Sequence, residues 1–147
     1  MLTLTKIQSE LKAPKNLTNN FGGYSYRSCE GILEAVKPML AKHEASLIIS
    51  DDIVNSADRV YVKSTVTFKC KEGEATVTAF ARESASKKGM DESQITGAAS
   101  SYSRKYALNG LFLIDDAQDA DATNDHGKSK TVSKSKTKTP SVDEDLF

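Results

Sequence analysis

One stretch constrains the fold more than any other, the run GMDESQITGAASSYSRKYALNGLFLIDD at residues 89–116. It carries the punctuation of a single helix at both ends. Asp91 is a favoured N-cap, and Gln94 three residues on completes a capping-box pattern. Met90 before the cap and Ile95 inside it have the spacing of a hydrophobic staple. Asp91 and Glu92 at the start and Arg104 and Lys105 in the last turn suit the helix dipole. Asn109-Gly110 reads as the stop, with Gly110 fit for a left-handed C′ position. A strand-like run at 111–114 and a block of aspartates follow.

The middle of this helix is small: Gly97, Ala98, Ala99, Ser100 and Ser101. Glycine costs about 1 kcal/mol against alanine in a helix interior, so a close approach by another group is expected near Gly97. Ile95, Ala98, Ala99, Tyr102 and Tyr106 fall on one stripe, with Gly97, Ser100, Ser101, Arg104 and Lys105 largely off it. Two readings stay open. One is a core helix with a solvated polar face. The other sets the small residues against a phosphate backbone bound by Arg104 and Lys105.

Upstream, Leu4, Ile7 and Leu11 have helical spacing, Thr5 and Gln8 suggest a capping box, and Pro14 ends the helix. The segment KNLTNNFGGYSYRS is a turn-rich loop around Asn19, Asn20, Gly22 and Gly23. Glycine backbone, aromatic rings and cations are what a single-strand site needs, since bases stack on aromatic rings. Tyr24, Tyr26 and Arg27 are its candidates. The alternative makes Phe21, Tyr24 and Tyr26 core aromatics around a tight turn.

Ser28 can cap a helix over 29–43 whose buried face is Ile32, Leu33, Val36, Met39 and Leu40, bent at Pro38. His43 at its end has no second histidine nearby to suggest a metal or catalytic role. Strands are predicted at 46–53, 60–70 and 75–82. The last two form a hairpin with an apolar face (Val60, Val62, Val66, Phe68, Cys70, Val77, Ala79, Ala81) and a threonine-rich face carrying Tyr61, Lys63, Lys69, Phe80 and Arg82. Phe80 is expected to pack beneath another element. The loop ESASKK brings Lys87 and Lys88 to the start of the central helix.

The blocks KNLTNNFGGYSYRS, ARESASKKGMDESQITGAASSYSRKYALNGLF and IDDAQDAD, in this order between Lys15 and Asp121, resemble the ERF family of phage single-strand annealing proteins. The resemblance implies an ATP-independent recombinase, not an enzyme, that binds single-stranded DNA, oligomerises as a ring or filament and anneals complementary strands in phage recombination. It implies an α+β fold: a curved antiparallel β-sheet, hairpin-containing, packed on helices, similar to the ring-forming eukaryotic annealing proteins. DNA would lie in a basic groove, and the cytoplasm of a bacterial host would be its setting. Arg27, Lys87, Lys88, Arg104 and Lys105 are the candidate backbone contacts, followed by Arg82 and Lys63. A passive single-strand coating protein and a metal-dependent nuclease are the alternatives.

The formal charge is zero, but it is unevenly spread. Residues 1–114 hold 15 bases and 12 acids, and residues 115–147 hold 5 bases and 8 acids. A mildly basic body therefore precedes an acidic tail poor in apolar residues, expected to be disordered. The domain organisation read from this is an annealing domain at 1–116 and a charged tail at 117–147. The final VDEDLF resembles the acidic tip of bacterial single-stranded DNA-binding proteins, without their proline. That likeness implies that Asp143, Glu144, Asp145, Leu146 and Phe147 bind a replication or recombination protein; an inert solubilising end is the alternative.

No phosphate-binding G-x-x-x-x-G-K-[ST] occurs, so no ATP or other cofactor is expected. Asp115, Asp116, Asp119, Asp121 and Asp125 lack the glycine and glutamate of a calcium loop, and no metal site is assigned. Cys29 and Cys70 have neither metal nor redox spacing and read as reduced thiols. No apolar run has the length of a membrane span, and no signal peptide is read.

Overall fold

The computed structural model describes residues 1–114. The aspartate block, the lysine-rich stretch and the VDEDLF tip all lie outside the described residues. Among the described residues three helices and two antiparallel sheets make an α+β fold, in the order α1 (Leu2–Glu10), β1 (Leu17–Asn19), β2 (Tyr24–Tyr26), α2 (Cys29–Lys42), β3 (Ser46–Ser56), β4 (Arg59–Cys70), β5 (Gly73–Arg82) and α3 (Glu92–Phe112). Strands β3, β4 and β5 form a meander with β4 central, and β1–β2 is a separate short hairpin.

Alternation along β4 decides which face of the meander is buried. Val62, Ser64, Val66 and Phe68 are closed from solvent, and every intervening residue is more exposed. Antiparallel register carries the same facing to its neighbours: Val66 pairs with Ile49 and Val77, Phe68 with Leu47 and Ala75. All three helices supply the core packed with this face, through Ile7 from α1, Cys29, Ile32 and Val36 from α2, and Ala107, Leu108, Leu111 and Phe112 from α3. Phe68 and Phe112 meet edge to face at 6.5 Å, a geometry that aromatic quadrupoles favour.

Helix α3 starts as expected. The Asp91 carboxylate accepts from the Gln94 N–H at 2.8 Å, and the Gln94 side chain accepts from the Asp91 N–H at 3.0 Å. Its end differs from expectation. Asn109-Gly110 does not stop it, and residues 111–114 are no strand. Leu111 and Phe112 are 2% and 1% exposed, so a further turn buries two large side chains on the face that Leu108 already occupies. The reversal comes at Leu113, in the left-handed region with φ 55°, so the last turn holds no base and Arg104 and Lys105 lie before it.

The buried face of α3 is also displaced from the expected stripe. Ile95, Ala99, Ser103, Ala107, Leu108, Leu111 and Phe112 are buried, whereas Tyr102 and Tyr106 are 56% and 50% exposed. Ser103 replaces them inside because a sheet hydroxyl, Ser64 Oγ, lies 2.5 Å from its Oγ and satisfies it in the core. No described residue makes the close approach expected at Gly97: a Cβ there would meet none of them within 4 Å. At Gly110 a Cβ would lie 3.4 Å from Val77 Cγ1, an ordinary van der Waals contact.

One further local expectation changes. Thr5 does not cap α1; it lies within the helix and its hydroxyl donates back to the Met1 carbonyl. The N–H groups of Leu2 and Thr3 are satisfied by the Glu72 carboxylate from the β4–β5 turn, at 2.8 and 2.7 Å. Helix α1 closes on its own chain through buried Ile7, with Gln8 Nε2 donating to the Leu111 carbonyl at 2.8 Å. Ser28 caps α2 through the Gly31 N–H at 3.0 Å, and the helix continues through Pro38.

Candidate nucleic-acid interface

The flanks of α3 and the elements beside them bring most of the expected cations together with aromatic rings. Arg27 and Lys105 line one small cavity of about 160 Å³, with Tyr26, Ser28, Cys29, Ser101 and Tyr102. Arg82 and Lys87 line a second of about 220 Å³, with Phe80, Met90, Ala98 and others, including both Tyr102 and Tyr106. Tyr102 belongs to both cavities and joins them. Among the described residues no carboxylate lines either one.

Ring geometry ties these groups together. Tyr102 and Tyr106, one helical turn apart, stack with centroids 6.4 Å apart and planes inclined by 22°. The Lys105 ammonium stands 5.9 Å from the Tyr26 ring centroid and 6.0 Å from that of Tyr106. This is cation–π range, and it holds a long cation between two ring faces. Such a unit combines one positive charge with two aromatic rings. Tyr26 meets Tyr24 edge to face at 6.4 Å, which extends the aromatic series along the hairpin.

The expected turn-rich loop is an ordered hairpin. Leu17 pairs with Tyr26, Thr18 with Ser25 and Asn19 with Tyr24. The core-aromatic alternative fails for Phe21, which is fully exposed, and for Tyr24, 51% exposed. Tyr26 is partly buried against the start of the α2 region.

The other candidates are placed differently. Arg104 faces β3, where its Nη2 lies 2.8 Å from Asp51 Oδ2 and its Nε 3.0 Å from the same oxygen. Ser100 and Ser64 hydroxyls donate to the same carboxylate at 2.6 and 2.7 Å. Burial works to raise the Asp51 carboxyl, but the bonds from Arg104, Ser100 and Ser64 outweigh it and hold the group below its ordinary value. The same pairing raises Arg104. Lys63 stands on the outer face of the sheet, 6.0 Å from the Phe80 ring centroid. Phe80 is thus not packed beneath another element; it is 53% exposed. Lys88 is exposed on the loop before α3 and lines neither cavity.

Sequence reasoning missed Tyr102 and Tyr106 as surface rings and Asp51 as the partner of Arg104. A signal for the rings exists. Ile95, Ala99, Ser103 and Ala107 recur every fourth residue, and that track sets both tyrosines on its flank. Burial of Cys29 pushes its thiol up, so it lines its cavity as a neutral, apolar group. Among the described residues no three His, Cys, Asp or Glu side chains gather to hold a metal ion. No helix among them is long and apolar enough to cross a membrane.

Comparison with known proteins places these residues in a family setting. Residues 2–146 match the ERF superfamily. Over 133 residues, 90% of this chain, the sequence is 54% identical to the essential recombination function protein of Salmonella phage P22. The chain spans 63% of that relative's length. No solved structure matches, so the likeness to ring-forming annealing proteins rests on the sequence resemblance alone.

Proposed function

This chain belongs to the ERF superfamily, and from that premise we propose that it binds single-stranded DNA along the Tyr26–Lys105–Tyr102 face and anneals complementary strands during phage recombination, without ATP. The observation that carries the reading is Lys105 held between the rings of Tyr26 and Tyr106, beside cavities lined by cations and rings. Cations hold the sugar-phosphate backbone while stacking takes the bases singly, the division of labour that sequence-tolerant single-strand binding requires. Annealing makes and breaks no covalent bond, so the function calls for no nucleophile, metal or cofactor. The relative in phage P22 is named for an essential recombination function, and we extend that role to this chain.

Self-association belongs to the same proposal. In the sheet order β3-β4-β5 the outer edges of β3 and β5 have no strand partner among the described residues, and such edges accept a strand from another copy. Side-by-side copies would multiply weak contacts along one strand.

The test mixes complementary oligonucleotides with and without the protein, in the absence of ATP. Accelerated pairing is expected, and Lys105→Ala should slow it. Stalled pairing with intact binding would identify a passive coating protein instead. Degradation that needs Mg²⁺ would identify a nuclease.

A further inference from the structure

The β1–β2 hairpin presents a side chain that the core does not use. Phe21, at its tip, has 105% of the exposure of a reference residue. The turn that displays it is tightly ordered. Asn19 Oδ1 accepts from the N–H groups of Phe21 and Gly22 at 2.9 and 3.3 Å, and Asn19 Nδ2 donates to the Tyr24 hydroxyl at 2.8 Å. The Gly23 N–H donates to the Asn19 carbonyl at 2.8 Å. Both glycines are needed. Gly23 has φ 64°, and a Cβ on Gly22 would collide with the Tyr24 ring. A turn built this firmly around a large apolar ring in open solvent holds the ring out for something else to contact.

Charge selects the kind of partner. Between Glu10 and Glu30 the sequence has no acidic residue and three cations, Lys12, Lys15 and Arg27. The tip itself is Asn19, Asn20 and two glycines, without an apolar neighbour that would widen Phe21 into a protein-docking patch. A flat π surface on an acid-free hairpin, flanked in the sequence by Lys15 and Arg27, fits a polyanion whose exposed parts are themselves flat rings. Tyr26, at the base of the same hairpin, lines the Lys105 cavity, and at strand rise the tip stands roughly 10 Å from it.

We propose that Phe21 stacks on an unpaired base of the bound strand and acts as a spacer, separating that base from its neighbours so that it is open to pairing. The proposal rests on the single-strand reading above and adds a contact beyond the cation–tyrosine face.

The chain contains no tryptophan, so Phe21→Trp makes the tip its single indole reporter. An unlabelled oligothymidylate should quench that emission in step with binding, which is measured separately by the anisotropy of a dye-labelled strand. Phe21→Ala and Phe21→Leu should both weaken binding by about 5-fold to about 150-fold, the span expected when one base–aromatic stack is removed. The slope of affinity against salt should not change, because no cation is removed. Thermal melting should also stay unchanged, since the ring packs on nothing. Bound oligothymidylate with unaltered indole emission overturns the proposal. So does full affinity in Phe21→Leu, which would mark an apolar anchor and not a stacking ring. Emission that shifts with protein concentration in the absence of DNA overturns it in favour of a second copy covering the tip. Failure of the unmodified chain to bind the labelled strand overturns the single-strand reading itself, and this proposal with it.

Discussion

Arg104 of α3 and Asp51 of β3 are joined by a 2.8 Å ion pair that Ser100 and Ser64 complete with hydroxyl donors. The pair spans the helix–sheet interface where the core turns polar, and the two side chains are 39% and 22% exposed. Arg104 therefore has a definite duty in the fold. Arg104→Ala leaves a half-buried carboxylate without its cation and should cost about 1–3 kcal/mol of stability, between the values for surface and buried pairs. Asp51→Ala should cost a similar amount, and the double variant less than the two together. Urea unfolding of the four proteins measures this. Additive losses would show that the pair does not act as a unit, and abolished DNA binding at unchanged stability would return Arg104 to the strand-contact set.

Lys105 occupies the next position of the same helix and stands among rings. Lys105→Ala should weaken oligonucleotide binding and reduce the salt slope by roughly 0.7 log units per log unit, the signature of neutralising one phosphate fewer on a single strand. Stability should move by less than in Arg104→Ala. Titrations at several salt concentrations decide it; an unchanged slope would leave Lys105 as a packing residue between Tyr26 and Tyr106.

These two adjacent cations show where the sequence was legible and where it was not. Several local signals held. Asp91 with Gln94 and Ser28 with Gly31 are short-range hydrogen bonds written in residue type, and strand alternation named Val62, Val66 and Phe68 as core. Signals that depend on a distant element were not readable. Nothing near Arg104 announces Asp51, 53 residues away. Ser103 looks like a surface residue until Ser64 of β4 is set against it. Tyr102 and Tyr106 look like core because aromatic rings weigh heavily in an apolar tally. Gly110 looks like a stop until Leu111 and Phe112 are seen to need one more turn.

Acid should loosen α1 before the core. The Glu72 carboxyl, bonded to Thr3 and to the backbone N–H of Leu2, is lowered from the usual 4.5 to about 2. A depressed carboxyl contributes stability that is in place above its unfolded value and disappears as pH falls through the folded one. The helix cap should therefore persist from neutral pH down to about 4.5 and be lost on the way to about 2. Asp51, also lowered, acts in the same direction. In ¹H–¹⁵N spectra the amides of Leu2 and Thr3 should titrate with a midpoint near 2, and Glu72→Gln should give them their acid-state shifts at pH 7. A midpoint at the ordinary carboxylate value would mean that α1 is not capped from the β4–β5 turn.

Gly97 separates the two readings of the small residues in α3. It is exposed, and a Cβ there would meet none of the described residues within 4 Å. If the fold alone mattered, Gly97→Ala should stabilise the protein by about 1 kcal/mol through helix propensity, with no effect on function. If a phosphate backbone runs along this side of the helix, the same substitution should stabilise the free protein and still weaken its hold on DNA, because the added methyl keeps the strand from closing on the backbone. The cation–ring face beginning at Ser101, one helical turn on, leads us to expect the second outcome. Thermal melting and oligonucleotide titration of the one variant give both numbers. A more stable protein with undiminished affinity would confine the strand to the far half of α3, from Ser101 to Tyr106.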